Sequence, residues 1–172
     1  MINEMATNIR TAVDDGDLRK IAEMADTIWY EAFAGIITEE QINYMVEKFQ
    51  SHRAVKDQVE NHGYRYFILS EDGNDAGYCG VQPCDDGSLY LSKMYLKKEF
   101  RGHGLFAEMT AYLKEMCRRE GLGSIWLTVN KHNARAIAAY EKNGYRNIRS
   151  QVADIGQDFV MDDYVFELKI QN

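Results

Sequence analysis

Arg101-Gly102-His103-Gly104-Leu105-Phe106 stands between an extended apolar run, Leu89 to Leu96, and a stretch whose positions Leu105, Phe106, Met109, Tyr112, Leu113, Met116 and Cys117 mark one face of a helix ending at Gly121. Beyond it, Ile125-Trp126-Leu127-Thr128-Val129 reads as a short strand buried on both faces. Strand, crossover helix and strand in that order imply a parallel pair. The loop itself opens a helix, where unpaired amide donors and a partial positive charge favour an anion, and its two glycines let a ligand approach the main chain.

Upstream of this unit, Asn8 to Val13 alternates as a strand and ends at a turn, Asp14-Asp15-Gly16. From Asp17 to Phe33, apolar residues recur at spacings of three and four, which predicts a helix. Thr38-Glu39-Glu40-Gln41 has the form of a capping box and opens a second helix running to about Phe49. Ser51 caps a third, through Asn61. Tyr64 to Ser70, Ala76 to Gln82 and Leu89 to Leu96, separated by turns at Glu71-Asp72-Gly73-Asn74 and Asp85-Asp86-Gly87, form an antiparallel meander. Downstream, Asn133 to Asn143 is a helix closed by Gly144, and Tyr145 to Ile155 with Asp158 to Ile170 is a final hairpin. The expected architecture is one α/β domain over residues 1–172, with a mixed, mostly antiparallel sheet, a central parallel pair and helices on both faces.

Composition narrows the function. A hydrophobic content of 45% with a single proline argues for a folded core rather than disorder. The net charge of −7 removes the basic footprint that nucleic-acid binding needs. No run reaches the roughly 18 apolar residues of a membrane span, and Met1-Ile2-Asn3-Glu4-Met5 lacks a basic region followed by an apolar stretch, so a cytoplasmic protein is expected. Cys79, Cys84 and Cys117 are odd in number and read as reduced thiols. His52, His62, His103 and His132 are scattered, so no metal is expected.

A second segment, Asn130 to Tyr145, carries an asparagine at a helix start, Asn133, and a tyrosine two turns along on the same side, Tyr140. Together with the glycine loop, this segment resembles the GNAT superfamily of acetyl-CoA-dependent N-acetyltransferases. The family's loop pattern, Arg/Gln-x-x-Gly-x-Gly/Ala, matches Arg101 to Phe106, and its Asn-x-x-Ala-x-x-x-Tyr pattern matches Asn133 to Tyr140, with Ala136 at the small position. Phe106 departs from the pattern, standing where the family has a small residue.

The resemblance implies a fold in which a bulge splays the parallel pair, and a set of roles within it. The amides of Arg101, Gly102, His103, Gly104, Leu105 and Phe106 would hold the pyrophosphate of acetyl-CoA. Met94, Tyr95 and Leu96 would lie along the pantetheine arm, the Leu96 amide polarising the thioester carbonyl. Asn133 would bind the cofactor, and Tyr140 would protonate the departing thiolate, a leaving group of pKa about 8.5 that a phenol of pKa about 10 can serve.

The acceptor amine must lose a proton before it attacks. Several family members place a glutamate on the strand before the loop, where this chain has Ser92; Glu31, Asp85 and Asp86 are the replacements considered, with Glu31 placed in the catalytic set.

The stretches Trp29 to Met45 and Asp158 to Leu168 resemble the bacterial polyamine-acetyltransferase branch, which implies an acidic and aromatic acceptor wall of Tyr30, Glu31, Asp162 and Tyr164. The expected reaction is direct transfer from acetyl-CoA to a small-molecule primary amine, with no metal, no nucleic acid and no membrane; a homodimer stays open. Acetylation of a protein N-terminus or lysine is the alternative acceptor class, and a CoA-binding module without turnover is the alternative outside enzymes.

Overall fold

The computed structural model describes residues 6–171, so Met1 to Met5 lie outside the described residues. The chain divides into two compact units: residues 1–82 with 93–105, and residues 83–92 with 106–172. Among the described residues, no helix is long and apolar enough to cross a membrane.

In the first unit, β1 (Thr7–Thr11) pairs antiparallel with β2 (Arg65–Glu71), Ile9 lying opposite Leu69, and β2 pairs antiparallel with β3 (Asn74–Pro83). The turn between β2 and β3 places Asp72 at φ 50° and Gly73 at φ 81°, the left-handed pair that a two-residue hairpin demands. Helix α1 (Asp15–Phe33) starts where Asp14 Oδ1 accepts from the Asp17 amide at 2.9 Å. Asp17 is itself buried, accepting from Arg10 at 2.7 Å and from the Val13 amide at 3.1 Å, and the Arg10 guanidinium holds its carboxyl below the usual range. Ile21, Ala25, Ile28 and Trp29 form the buried stripe of α1; complete burial of a large apolar side chain stabilises by roughly 1.5–3 kcal/mol.

Helix α2 (Glu39–Met45) begins at Thr38, whose hydroxyl oxygen accepts from the Gln41 amide at 3.1 Å. It is shorter than its periodicity predicts. After Met45 the chain widens into a π turn, Val46–Gln50, before Ser51 caps α3 (His52–Asn61). The wider turn coincides with two inward bonds. Tyr78 donates to the buried Gln50 Oε1 at 2.9 Å, and the Phe49 carbonyl accepts from Lys93 Nζ.

Strand β4 (Ser88–Leu96) is shared by the two units, Ser88–Ser92 belonging to the second and Lys93–Leu96 to the first. Lys93 is buried, and besides Phe49 its amine donates to Gln58 Oε1 at 2.9 Å and to the Tyr66 hydroxyl. Burial pushes its pKa down to about 7. Near the end of β4 the Lys97 amide donates to Ala76 at 2.8 Å, whereas at its start the Cys84 amide donates to Ser88 at 2.8 Å. Between these two bonds β4 spends one residue more than β3, which is a β-bulge. The bulge rests on Gly77, because a Cβ there would stand 2.2 Å from the Tyr95 carbonyl oxygen and 3.0 Å from the Leu96 Cα.

In the second unit, β4 pairs in parallel with β5 (Ser124–Asn130) over Ser88↔Ser124 to Tyr90↔Trp126; β5 pairs antiparallel with β7 (Phe159–Lys169), and β7 with β6 (Arg146–Gly156). The parallel pair joined through helix α4 (Leu105–Glu120) is the expected crossover. One expectation needs correction, since β5 is not buried on both faces. Ile125, Leu127 and Val129 are buried while Ser124, Trp126 and Thr128, on the alternate face, are half-buried; there Trp126 stacks on Tyr90 at 4.3 Å and donates to Ser88 Oγ at 3.1 Å. The cysteines form no disulfide.

Gly77→Ala forces either the carbonyl of Tyr95 or the whole bulge to move. The expected cost is about 1–3 kcal/mol in urea denaturation, the range of core overpacking, and an unchanged midpoint would show that the bulge does not depend on this glycine.

Candidate active site

The loop that follows β4 is built by main-chain geometry. A single 3-10 turn, Lys98–Phe100, leads to Arg101, whose amide donates to the Lys98 carbonyl at 3.3 Å. Gly102 at φ 80° and Gly104 at φ 83° then flank His103, which keeps a negative φ. Left-handed residues alternating with ordinary ones turn successive N–H groups toward one side, an arrangement that receives anions. No heavy atom lies within 4 Å of where a Cβ would sit on either glycine. The glycines are therefore required by their dihedrals rather than by crowding, and the space on their Cβ side is open. Leu105, the first residue of α4, continues the run of donors into a helix N-terminus.

His103 is anchored. Its Nδ1 lies 2.8 Å from Oε1 of Glu71, a buried carboxylate at the end of β2 whose Oε2 has no hydrogen-bond partner. Sequence reading placed Glu71 in a turn and missed this contact; the one available signal was a glutamate closing an otherwise apolar strand. On β4, Met94 is buried and Leu96 half-buried, and the Tyr95 ring sits 5.4 Å from Trp29, 6.4 Å from Phe33 and 5.5 Å from Tyr78.

Asn133 and Tyr140 belong to helix α5 (Ala134–Lys142) in the second unit. Asn133 caps it, Oδ1 accepting from the Ala136 amide at 3.2 Å. The other end closes as a Schellman motif. The Gly144 amide donates to Glu141 and the Tyr145 amide to Tyr140, both at 3.1 Å, with Gly144 at φ 90°. The closure brings Tyr145 against Tyr140, ring centroids 5.3 Å apart and nearly perpendicular. Phe106 meets the same tyrosine edge-on at 5.0 Å, and Phe166 lies at 6.4 Å. The residue that departs from the family's loop pattern thus packs against the Tyr140 ring.

The residues expected on the acceptor side are placed as follows. Tyr30 and Glu31 are exposed on α1, the Tyr30 hydroxyl donating to Asn43 on α2. Asp162 pairs with Lys131 at 2.8 Å, and Lys131 Nζ lies 5.6 Å from the centre of the Tyr164 ring. Asp162 and Tyr164 are thereby brought together around a cation of the chain itself, whose pKa the Asp162 contact raises. Asp85 is exposed. Asp86 accepts from the Ser88 hydroxyl at 2.6 Å and its amide at 3.0 Å, and these bonds hold its carboxyl below the usual range, which suits a turn cap better than a base. No group of three His, Cys, Asp or Glu side chains able to hold a metal occurs among the described residues.

Comparison with known proteins gives this geometry its context. The model of the acetyltransferase (GNAT) family matches residues 26–145. An uncharacterized N-acetyltransferase of Lactobacillus delbrueckii subsp. lactis is 23% identical, over 85% of this chain and 88% of its own. The spermidine N(1)-acetyltransferase of Thermoplasma acidophilum is 24% identical, over 85% of this chain and 90% of its own. Among solved structures, the PaiA N-acetyltransferase of Thermoplasma acidophilum in complex with coenzyme A superposes with a TM-score of 0.76 at 21% identity, covering 96% of this chain and 99% of that one.

Gly144→Ala puts a Cβ on a residue at φ 90°, 3.4 Å from Leu168 Cδ1. The expected loss is about 1–3 kcal/mol in thermal or urea unfolding, with a changed near-ultraviolet signal from the Tyr140 and Tyr145 rings; wild-type values for both would show that the closure does not hold Tyr140.

Proposed function

Because this chain belongs to the acetyltransferase (GNAT) family, we propose that it moves the acetyl group of acetyl-CoA to a primary amine of a small molecule, with polyamine-like cations as the favoured acceptors. The observation that carries the proposal is the open, left-handed glycine pair at the head of α4. The residues fit the group: the loop from Arg101 to Phe106 leads into a helix start, where main-chain donors hold a pyrophosphate, and nothing lies within 4 Å of where a Cβ would stand on Gly102 or Gly104 to block its approach. Acetyl-CoA brings an acetyl group activated as a thioester. Met94, Tyr95 and Leu96 line its arm, and the Leu96 amide steadies charge on the acyl oxygen. Asn133 contributes at the cofactor, and the Tyr140 phenol, fixed by Phe106, Tyr145 and the Schellman closure, gives its proton to the leaving sulfur.

Transfer is direct. A covalent acetyl-enzyme needs an activated nucleophile, yet burial pushes the Cys79 thiol well up and that of Cys117 to about 11, so neither is a thiolate at neutral pH. The polyamine preference is supported by the similarity to a spermidine acetyltransferase and by the acidic balance of the chain, which attracts a polycation. Tyr30, Glu31, Asp162 and Tyr164 remain the proposed acceptor wall.

The test is release of free thiol from acetyl-CoA in the presence of spermidine, spermine, amino sugars, amino acids and peptide amines. Acceleration by polyamines is expected. Acceleration by peptide amines alone would reassign the acceptor class, and failure of every amine would refute the activity. Tyr140→Phe is expected to lower kcat by about 100-fold with little change in KM, the scale of a lost general acid.

A further inference from the structure

Glycines set the course of the loop after β4; what seats it on the sheet is a side chain from another strand. Gly102 and Gly104 bring no side chain to pack, and no heavy atom lies within 4 Å of where a Cβ would stand on either. Both are left-handed, and glycine loses more conformational freedom on ordering than any other residue. Holding the amides between them in one arrangement therefore carries an entropic cost that a contact from outside the loop has to offset.

His103 stands between the two glycines, its ring edge-on to Phe100 and its Nδ1 2.8 Å from Glu71 Oε1. An ionised carboxylate only accepts, so the hydrogen of this bond lies on Nδ1. The Glu71 main chain is held from both sides, opposite Thr7 of β1 and opposite Asn74 of β3. Glu71 is thus a rigid post, and all of these residues belong to the first unit. Its side chain is 5% exposed, and its second oxygen, Oε2, is buried with no hydrogen-bond partner. A carboxylate taken out of water with half its accepting capacity unused is a net cost to stability. Stability by itself gives no reason for a glutamate here.

We infer that Glu71 is a positioning residue of the cofactor site: through His103 it seats the loop whose amides receive the pyrophosphate of acetyl-CoA, and it does so without touching the cofactor; the inference rests on the reading of that loop under the proposed function. The gain is preorganisation. A loop ordered before its ligand arrives does not have to be ordered by the ligand, so less of the binding free energy is lost. A hydrogen bond to a carboxylate is stronger than one between neutral groups, which suits it to hold a segment that has so little packing of its own. Without the clamp every amide donor is still present, but the ordering cost falls on the binding step.

In the full chain, Glu71→Met and His103→Ala each remove one half of the clamp. Each is expected to weaken CoA binding about 10-fold by calorimetry, the scale of one hydrogen bond to a charged group. Each should also raise KM for acetyl-CoA with kcat near wild type, and speed hydrogen exchange of the amides from Gly102 to Leu105 in the free protein. The double variant is expected to bind CoA no more weakly than either single one, because the two residues act as a unit. Glu71→Gln, whose amide oxygen can accept from Nδ1, is expected to stay within about 3-fold of wild-type affinity. The Tm of Glu71→Met is expected to match or exceed the wild type, since a buried carboxylate has been removed. A purely structural contact would lower Tm in both single variants and leave CoA affinity and KM unchanged; that result, or additive losses in the double variant, overturns the inference. If Glu71→Met does not fold, His103→Ala and Glu71→Gln decide by the same readings. A wild type that binds no CoA refutes the cofactor reading itself, whereas wild-type binding that none of the variants changes refutes only the role of Glu71.

Discussion

A missing side chain at residue 77 is the constraint on which the irregular end of β4 and the loop after it depend. The Tyr95 carbonyl occupies space that any other residue at that position would fill, so β4 gains its extra residue only against a glycine. Past the bulge the Lys97 amide is tied to Ala76, and the loop that follows sets out from a fixed point. Tyr95 is held from its other side by Trp29, Phe33 and Tyr78, so the bulge is clamped by aromatic packing as well as permitted by the glycine. Lys93, two residues earlier, ties the same strand to the π turn, α3 and β2 through one buried amine. Local irregularity here is overdetermined by its surroundings, as it must be to persist.

The second unit reaches rigidity by another route. Tyr140 is fixed by the way its helix ends: a left-handed glycine closes the last turn and folds Tyr145 back onto it. Phe106 adds a third ring at the start of α4, so a change at that position acts through the phenol as well as through the loop amides. The large residue where the family has a small one is therefore a structural component of the tyrosine's environment.

Much of this was legible in the residues. Periodicity placed α1, and caps placed the later helices because Thr38, Ser51 and Asn133 each bond an amide of their own first turn, contacts that lie within a few residues of sequence. Turn chemistry placed the hairpins for the same reason. The π turn after Met45 was not legible, because it coincides with partners remote in sequence, Tyr78 and Lys93. The burial of β5 was overstated because a pure apolar run carries no mark of which face a stacked tryptophan leaves half open. The glycine loop and the helix that carries Tyr140 could be read from neighbouring residues. Glu71 could not, since a carboxylate in a strand looks like a solvated residue until its burial and its partner are known.

The glycine loop has a consequence for how such a surface is studied and how it drifts. Its donors are peptide groups, which chemical labels aimed at lysine, cysteine or carboxylates do not touch, and which ordinary alanine scanning leaves in place. The left-handed backbone at Gly102 and Gly104, not a side chain, sets the course of this loop. A comparison of sequences that weighs side chains by their chemistry would rank this segment low, whereas one that weighs accessible dihedral angles would rank it first.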